Sequence, residues 1–155
     1  MKKVVLVAAI AGALATTGVF PLDSTATAGV APRVQTDVPS GEAALGSVLI
    51  GRRVMADGKP LAAGTYQVRL TAQTAQPGAR GASASLERWL EFVQGGQVKG
   101  REVVSIVPRD EIKQVAKTNP PAAGSARVEL LKGNEYLRVW INRSGVHYLV
   151  HLPVA

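Results

Sequence analysis

The chain contains no cysteine. Disulfide staples are therefore excluded, and thiolate ligands cannot complete a metal site. A lipid-modified bacterial anchor, which needs a cysteine at the cleavage point, is excluded as well. Aromatic residues make up only 5% of the chain, too few for the two interfacial girdles of an outer-membrane barrel. Histidine occurs twice. Glycine is plentiful, yet no phosphate loop, dinucleotide fingerprint or nucleophile elbow is formed. There is no internal repeat.

What is present describes a globular chain of ordinary domain size. Hydrophobic residues account for 46% and charged residues for 19% of 155 positions, with a formal net charge of +7. That apolar share is high enough to build a core without covalent help.

The N-terminus has its own pattern. Met1-Lys2-Lys3 is followed by an uncharged apolar run, Val4 to Ala15, and then by small and polar residues ending in Ala26-Thr27-Ala28. This order is that of a secretory signal peptide. The apolar run falls short of the roughly 20 residues that span a bilayer. Residues 1–28 are therefore expected to be removed near Ala28, with no retained membrane span, leaving an exported, periplasmic or extracellular, still basic chain. Residues 29–45 hold two prolines and two glycines with little periodicity, and read as an extended lead-in. Residues 46–155 read as a single domain.

Seven strand-like runs fill that domain. The first covers residues 46–55 and is followed by an Asp57-Gly58 turn. In residues 65–72, Tyr66, Val68 and Leu70 alternate with Gln67, Arg69 and Thr71. A small-residue loop occupies 73–85. Residues 86–93 and 98–107 flank a Gly95-Gly96 hairpin signal, Gly100 marks a bulge, and Pro108 ends the second strand. A short helix is predicted over 110–117, acidic at its start and basic at its end, with Ile112, Val115 and Ala116 on one face. Arg109, Lys113 and Lys117, spaced by four, form a basic stripe on the other. Asn119-Pro120-Pro121 stops it.

Residues 126–153 can be paired almost residue by residue. Gly133-Asn134 and Ser144-Gly145 fit two-residue hairpin loops, and loop length sets register. Leu130 then meets Leu137 and Leu152; Val128 meets Val139 and Val150; Ala126 meets Ile141 and Tyr148. On the other face Lys132 faces Glu135, Glu129 faces Arg138, and Arg127 lies beside Trp140. These expectations add up to an all-β fold: a seven-stranded antiparallel β-sandwich, Ig-like or transthyretin-like, with one short helix, or alternatively a small closed β-barrel.

One phrase carries a resemblance. Asp57 to Val68 (DGKPLAAGTYQV) resembles a stretch common in exported bacterial β-sandwich modules of the carboxypeptidase-regulatory or transthyretin-like kind. There it turns the chain into a strand, with Gly64 in a tight turn and Tyr66 and Val68 entering the core. The resemblance spans about a dozen residues. It implies a sandwich, an exported setting and a non-catalytic role, and carries over no functional residue.

Candidate chemistry is sparse. His147 and His151 lie four apart; on a strand that is about 13 Å, at about 3.4 Å per residue, too far for one metal ion whose ligand nitrogens sit within about 2.1 Å. Neither a metal nor another cofactor is expected. Most carboxylates already have structural tasks: Asp57 in a turn, Asp110 and Glu111 at a helix start, Glu129 and Glu135 opposite basic residues, Glu91 within reach of Lys99. Trp89, Trp140 and Tyr136 are possible stacking platforms. The second face of the meander holds Tyr136, Trp140, Leu131 and Leu149. If open, it offers a contact site of Trp140, Tyr136, Arg138, His151 and Arg127; if covered, the helix or the lead-in covers it.

Three functions compete. The first is a non-catalytic exported module that binds a partner, such as an envelope protein. The second is a basic surface binder of anionic polymer, polysaccharide or lipid headgroup, using one of three clusters: Arg52-Arg53, Arg109 with Lys113 and Lys117, or Arg127 with Arg138. The third is a small secreted hydrolase of envelope or extracellular polymers. Export disfavours nucleic acid as the target.

Overall fold

Alternating apolar and polar residues become strands along almost the whole domain in the computed structural model, which describes residues 38–75 and 86–155. In chain order these are β1 (Ala43–Ile50), β2 (Val54–Ala56), β3 (Lys59–Leu61), β4 (Gly64–Thr74), β5 (Glu87–Gln94) and β6 (Gln97–Val107). Helix α1 (Ile112–Val115) follows, then β7 (Ala126–Leu130), β8 (Tyr136–Arg143) and β9 (Val146–Pro153). The expected signal peptide, most of the lead-in and most of the 73–85 loop lie outside the described residues.

Seven strands make one antiparallel sheet in the order β1-β4-β5-β6-β9-β8-β7. The sheet curls until its edge strands, β1 and β7, come together without forming a ladder among the described residues. The fold is thus all-β, antiparallel and nearly barrel-shaped. Of the two layouts considered from the sequence, the unbroken ladder corresponds to the barrel, and the facing layers are opposite walls of one curved sheet. Right-handed twist accumulating over seven strands produces such curling, and bulges sharpen it. Register shifts between Ala44 and Gly46 on β1, after Leu70 on β4, and opposite Phe92 and Val93 on β6.

The meander register is as read from the sequence. Leu130 pairs with Leu137, Val128 with Val139 and Ala126 with Ile141, and these pair in turn with Leu152, Val150 and Tyr148. Ser144 and Gly145, at φ 54° and 85°, close β8–β9. The β7–β8 loop is wider than expected. Leu131 donates its N–H to the Tyr136 carbonyl at 2.9 Å, and Asn134 donates to Leu131 at 3.0 Å. Four residues, 132–135, therefore form the loop, which keeps the register. Among the described residues no ion pair joins Lys132 to Glu135.

Inward side chains from every strand of the sheet fill the lumen. Ile50, Leu70, Leu90, Phe92, Val104, Val139, Val150 and Leu152 are fully enclosed. Tyr66 meets Phe92 edge-on at 6.0 Å and donates its hydroxyl to the Ala62 carbonyl at 2.8 Å.

Three boundaries are corrected. The first strand begins at Ala43, inside the presumed lead-in, because Gly46 is a bulge within β1 rather than its start. The run 46–55 is two strands, broken at residues 51–53. Lys59–Leu61 is a strand that the sequence reading missed; it pairs with β2 around Asp57 and Gly58, whose φ values of 47° and 70° make a tight hairpin turn. Gly64 opens β4 opposite Ile50 rather than forming the turn itself. The β2–β3 ribbon buries Val54, Ala56 and Leu61 against the start of β6 and the end of β9.

Candidate functional site

The outer face of β7, β8 and β9 carries the residues that sequence reasoning grouped. Pro108 cannot continue the β6 ladder, and the chain turns into α1, where Glu111 donates its N–H to the Pro108 carbonyl at 3.1 Å. The helix is one turn long and buries Ile112 only; Val115 is 57% exposed, so the predicted Ile112/Val115/Ala116 face is not formed. Ile112 packs with Val107, Leu149 and Trp140 into a second small core outside the barrel, with Ala116 at its edge.

Trp140 is consequently 0% exposed. Of the two alternatives for this face, Trp140 takes the covered one: the helix lies over it, and it is not an open contact platform. Its indole N–H donates to His147 Nδ1 at 3.2 Å, and the two rings meet edge-on at 5.9 Å. Arg127 and Arg138 flank the indole with guanidinium carbons 5.0 and 5.2 Å from the ring centre. His147 is buried, and that burial, with Arg109 nearby, lowers its pKa below the ordinary 6.5. The neutral ring is the form that can accept the indole proton.

The other members of that group remain at the surface. Tyr136 is 44% exposed at the start of β8. His151 is exposed and stands opposite Arg138 in the ladder. Arg127 and Arg138 are half-buried and converge on one carboxylate, Glu129: Arg138 Nη2 lies 2.5 Å from Oε1, and Arg127 Nε 3.8 Å from it. Arg127 Nε has no hydrogen-bond acceptor among the described residues.

The basic stripe is divided. Arg109 lies over Gly145, where a Cβ would sit 2.5 Å from its Nε, so it belongs to the β8–β9 turn. Lys113 and Lys117 instead line one depression of about 270 Å³ with Thr118 and Asn119 above Ile112, Ala116 and Pro120. Arg127 Nη2 donates to Thr118 Oγ1 at 3.2 Å, which joins this depression to the arginine pair on β7 and β8.

Charges on the β4–β5–β6 face are largely consumed locally. Arg69 pairs with Glu91 at 2.5 Å, and Arg101 pairs with Asp57 at 2.9 Å while covering Trp89 at 4.3 Å. Glu91 does not reach Lys99, which bonds Gln97 instead. The bulge places Arg101, not Lys99, opposite Glu91. Gly100 within a basic, alternating run was the sequence signal for that shift.

Arg88 was missed altogether. It precedes Leu90 and Phe92 on the inward side of β5, is 4% exposed, and meets no carboxylate among the described residues. Its guanidinium donates to the carbonyls of Thr71, Pro39 and Gly41. A cation in this strand looks like any solvated arginine in the sequence; its acceptors come from Thr71 on the neighbouring β4 and from the path of residues 38–42 across it.

No family model matches the chain, and neither does any curated protein or solved structure.

Proposed function

We propose that this chain is a non-catalytic exported β module that works by binding through its outer surface. The observation that carries the reading is the filled lumen. Small barrels that hold ligands leave a cavity between their walls, whereas here inward side chains of all seven strands pack into one buried apolar cluster. Contacts with other molecules then fall to the outside, where the cations are. Four of the carboxylates support this further. Glu91, Asp57 and Glu129 are held by arginines, and Glu102 accepts the backbone N–H groups of Asp57 and Val103. The basic, apolar and small-residue order of residues 1–28 supports export.

Two measurements test the proposal. Intact mass of the protein accumulated by the producing cell is expected to show residues 1–28 removed and the chain outside the cytosol; a cytosolic chain that keeps Lys2 and Lys3 overturns export. Co-sedimentation with envelope polymers is expected to retain the protein and leave polymer length unchanged. Release of shortened polymer, abolished with the protein omitted, identifies a hydrolase instead.

A further inference from the structure

We infer that the depression beside α1 binds an acidic sugar unit of an anionic polysaccharide. This deepens the binding reading above and rests on it. Three features of the depression select the ligand chemistry. Its rim carries two ammonium groups, Lys113 and Lys117, and no carboxylate is among its lining residues. Both lysines are exposed and form no ion pair among the described residues. Thr118 and Asn119 in the same lining offer a hydroxyl and an amide, the groups that exchange hydrogen bonds with sugar hydroxyls. The floor is apolar, built from Ile112, Ala116 and Pro120. A bare phosphate gains nothing from an apolar floor, whereas a pyranose presents a C–H face to it.

The charge surplus continues past the depression, which is why a polymer fits better than a single sugar. Arg127 touches Thr118 and, with Arg138, shares the single carboxylate of Glu129. The two guanidinium groups thus leave one positive charge uncompensated next to the lysines. His151, opposite Arg138, extends the same face toward the exposed Tyr136. Asp110 and Glu111 precede the helix and are not part of the lining. A chain with repeated carboxylates can place one acid group between Lys113 and Lys117 and the next near Arg127.

The test uses the purified protein with four immobilised or suspended probes: polygalacturonate, neutral dextran, inorganic polyphosphate, and vesicles containing phosphatidylglycerol. Polygalacturonate is expected to bind, to be released as salt rises, and to be preferred over the other three. The paired substitution Lys113→Glu with Lys117→Glu is expected to weaken that binding roughly tenfold or more. The near-ultraviolet signal of the buried Trp140 should be kept, since both lysines are exposed. Arg52→Glu with Arg53→Glu, at the β1–β2 connection, serves as a control for charge alone and is expected to change affinity far less. Equal loss in both pairs, or no loss in the lysine pair, overturns the site while leaving a surface-binding module intact. Stronger retention on polyphosphate or vesicles overturns the sugar assignment. Shortening of polygalacturonate by the protein overturns the non-catalytic reading itself.

Discussion

Gly100 shows how one missing side chain positions a whole ribbon. A Cβ there would lie 3.1 Å from the Ala56 Cβ and 3.2 Å from Leu61 Cδ1, both in the β2–β3 ribbon. Neither neighbour is the loose end of a long side chain, so Gly100→Ala should push the ribbon outward at a cost of about 1–3 kcal/mol. Chemical denaturation would measure it, and a stability within error of the parent would mean the ribbon is not held there. His147 sets a pH dependence at the same scale. Its folded pKa lies below the unfolded value of 6.5, so the unfolded chain takes up the proton more readily. The contribution is complete above 6.5 and is lost as pH falls from there toward the lowered folded value. Stability should therefore decline as pH falls below about 6.5, and His147→Gln, which keeps an acceptor for the Trp140 N–H, should flatten that part of the slope. An unchanged slope would place the titrating group elsewhere.

Among the elements, α1 and the 38–42 segment each depend on one side chain more than on their own sequence. A single helical turn is marginal by itself, because nucleation costs more than one turn returns. It stands because Ile112 closes over Trp140. Trp140→Ala should cost about 3–5 kcal/mol and expose Ile112 and Leu149. Detection of the same free energy as the parent by urea unfolding would contradict the second core. The 38–42 segment is held by Arg88, whose lowered pKa reflects burial. Arg88→Met leaves the carbonyls of Pro39 and Gly41 without donors, and amide exchange there should rise about tenfold while Val139 stays protected. The helix itself was legible from its acidic start and the prolines after it. Its extent was not, since the residues after Val115 follow the Arg127–Thr118 and Asn142–Pro121 hydrogen bonds rather than helical propensity. Of the candidate site, Arg127, Arg138, Lys113 and Lys117 were all named from sequence, but as two unrelated groups; their meeting through Thr118 depends on where the chain crosses the sheet.

At the scale of the molecule, one lumen is filled by all seven strands, so stability should be shared rather than divided. Val139 is fully enclosed in it, paired with both Val128 and Val150. Val139→Ala should cost about 2 kcal/mol, and far-ultraviolet and tryptophan signals should shift together; separate midpoints would show that the two halves of the curled sheet unfold independently. Periodicity and turn residues along the chain specified the strand pairing within residues 126–130 and 136–153, the Gly95-Gly96 and Asp57-Gly58 turns, and the inward row of Tyr66, Val68 and Leu70. With a period of two, a one-residue slip turns the apolar row to the wrong face, and a slip of two loses the Glu129–Arg138 pairing. Tertiary structure alone decided that β6 would join β9 and merge the strands into one curled sheet, that Trp140 would be covered, that Arg109 would part from Lys113 and Lys117, and that Arg88 would turn inward. Each of these depends on contacts between segments far apart in the chain, and local periodicity specifies which face a side chain takes but not what arrives to cover it.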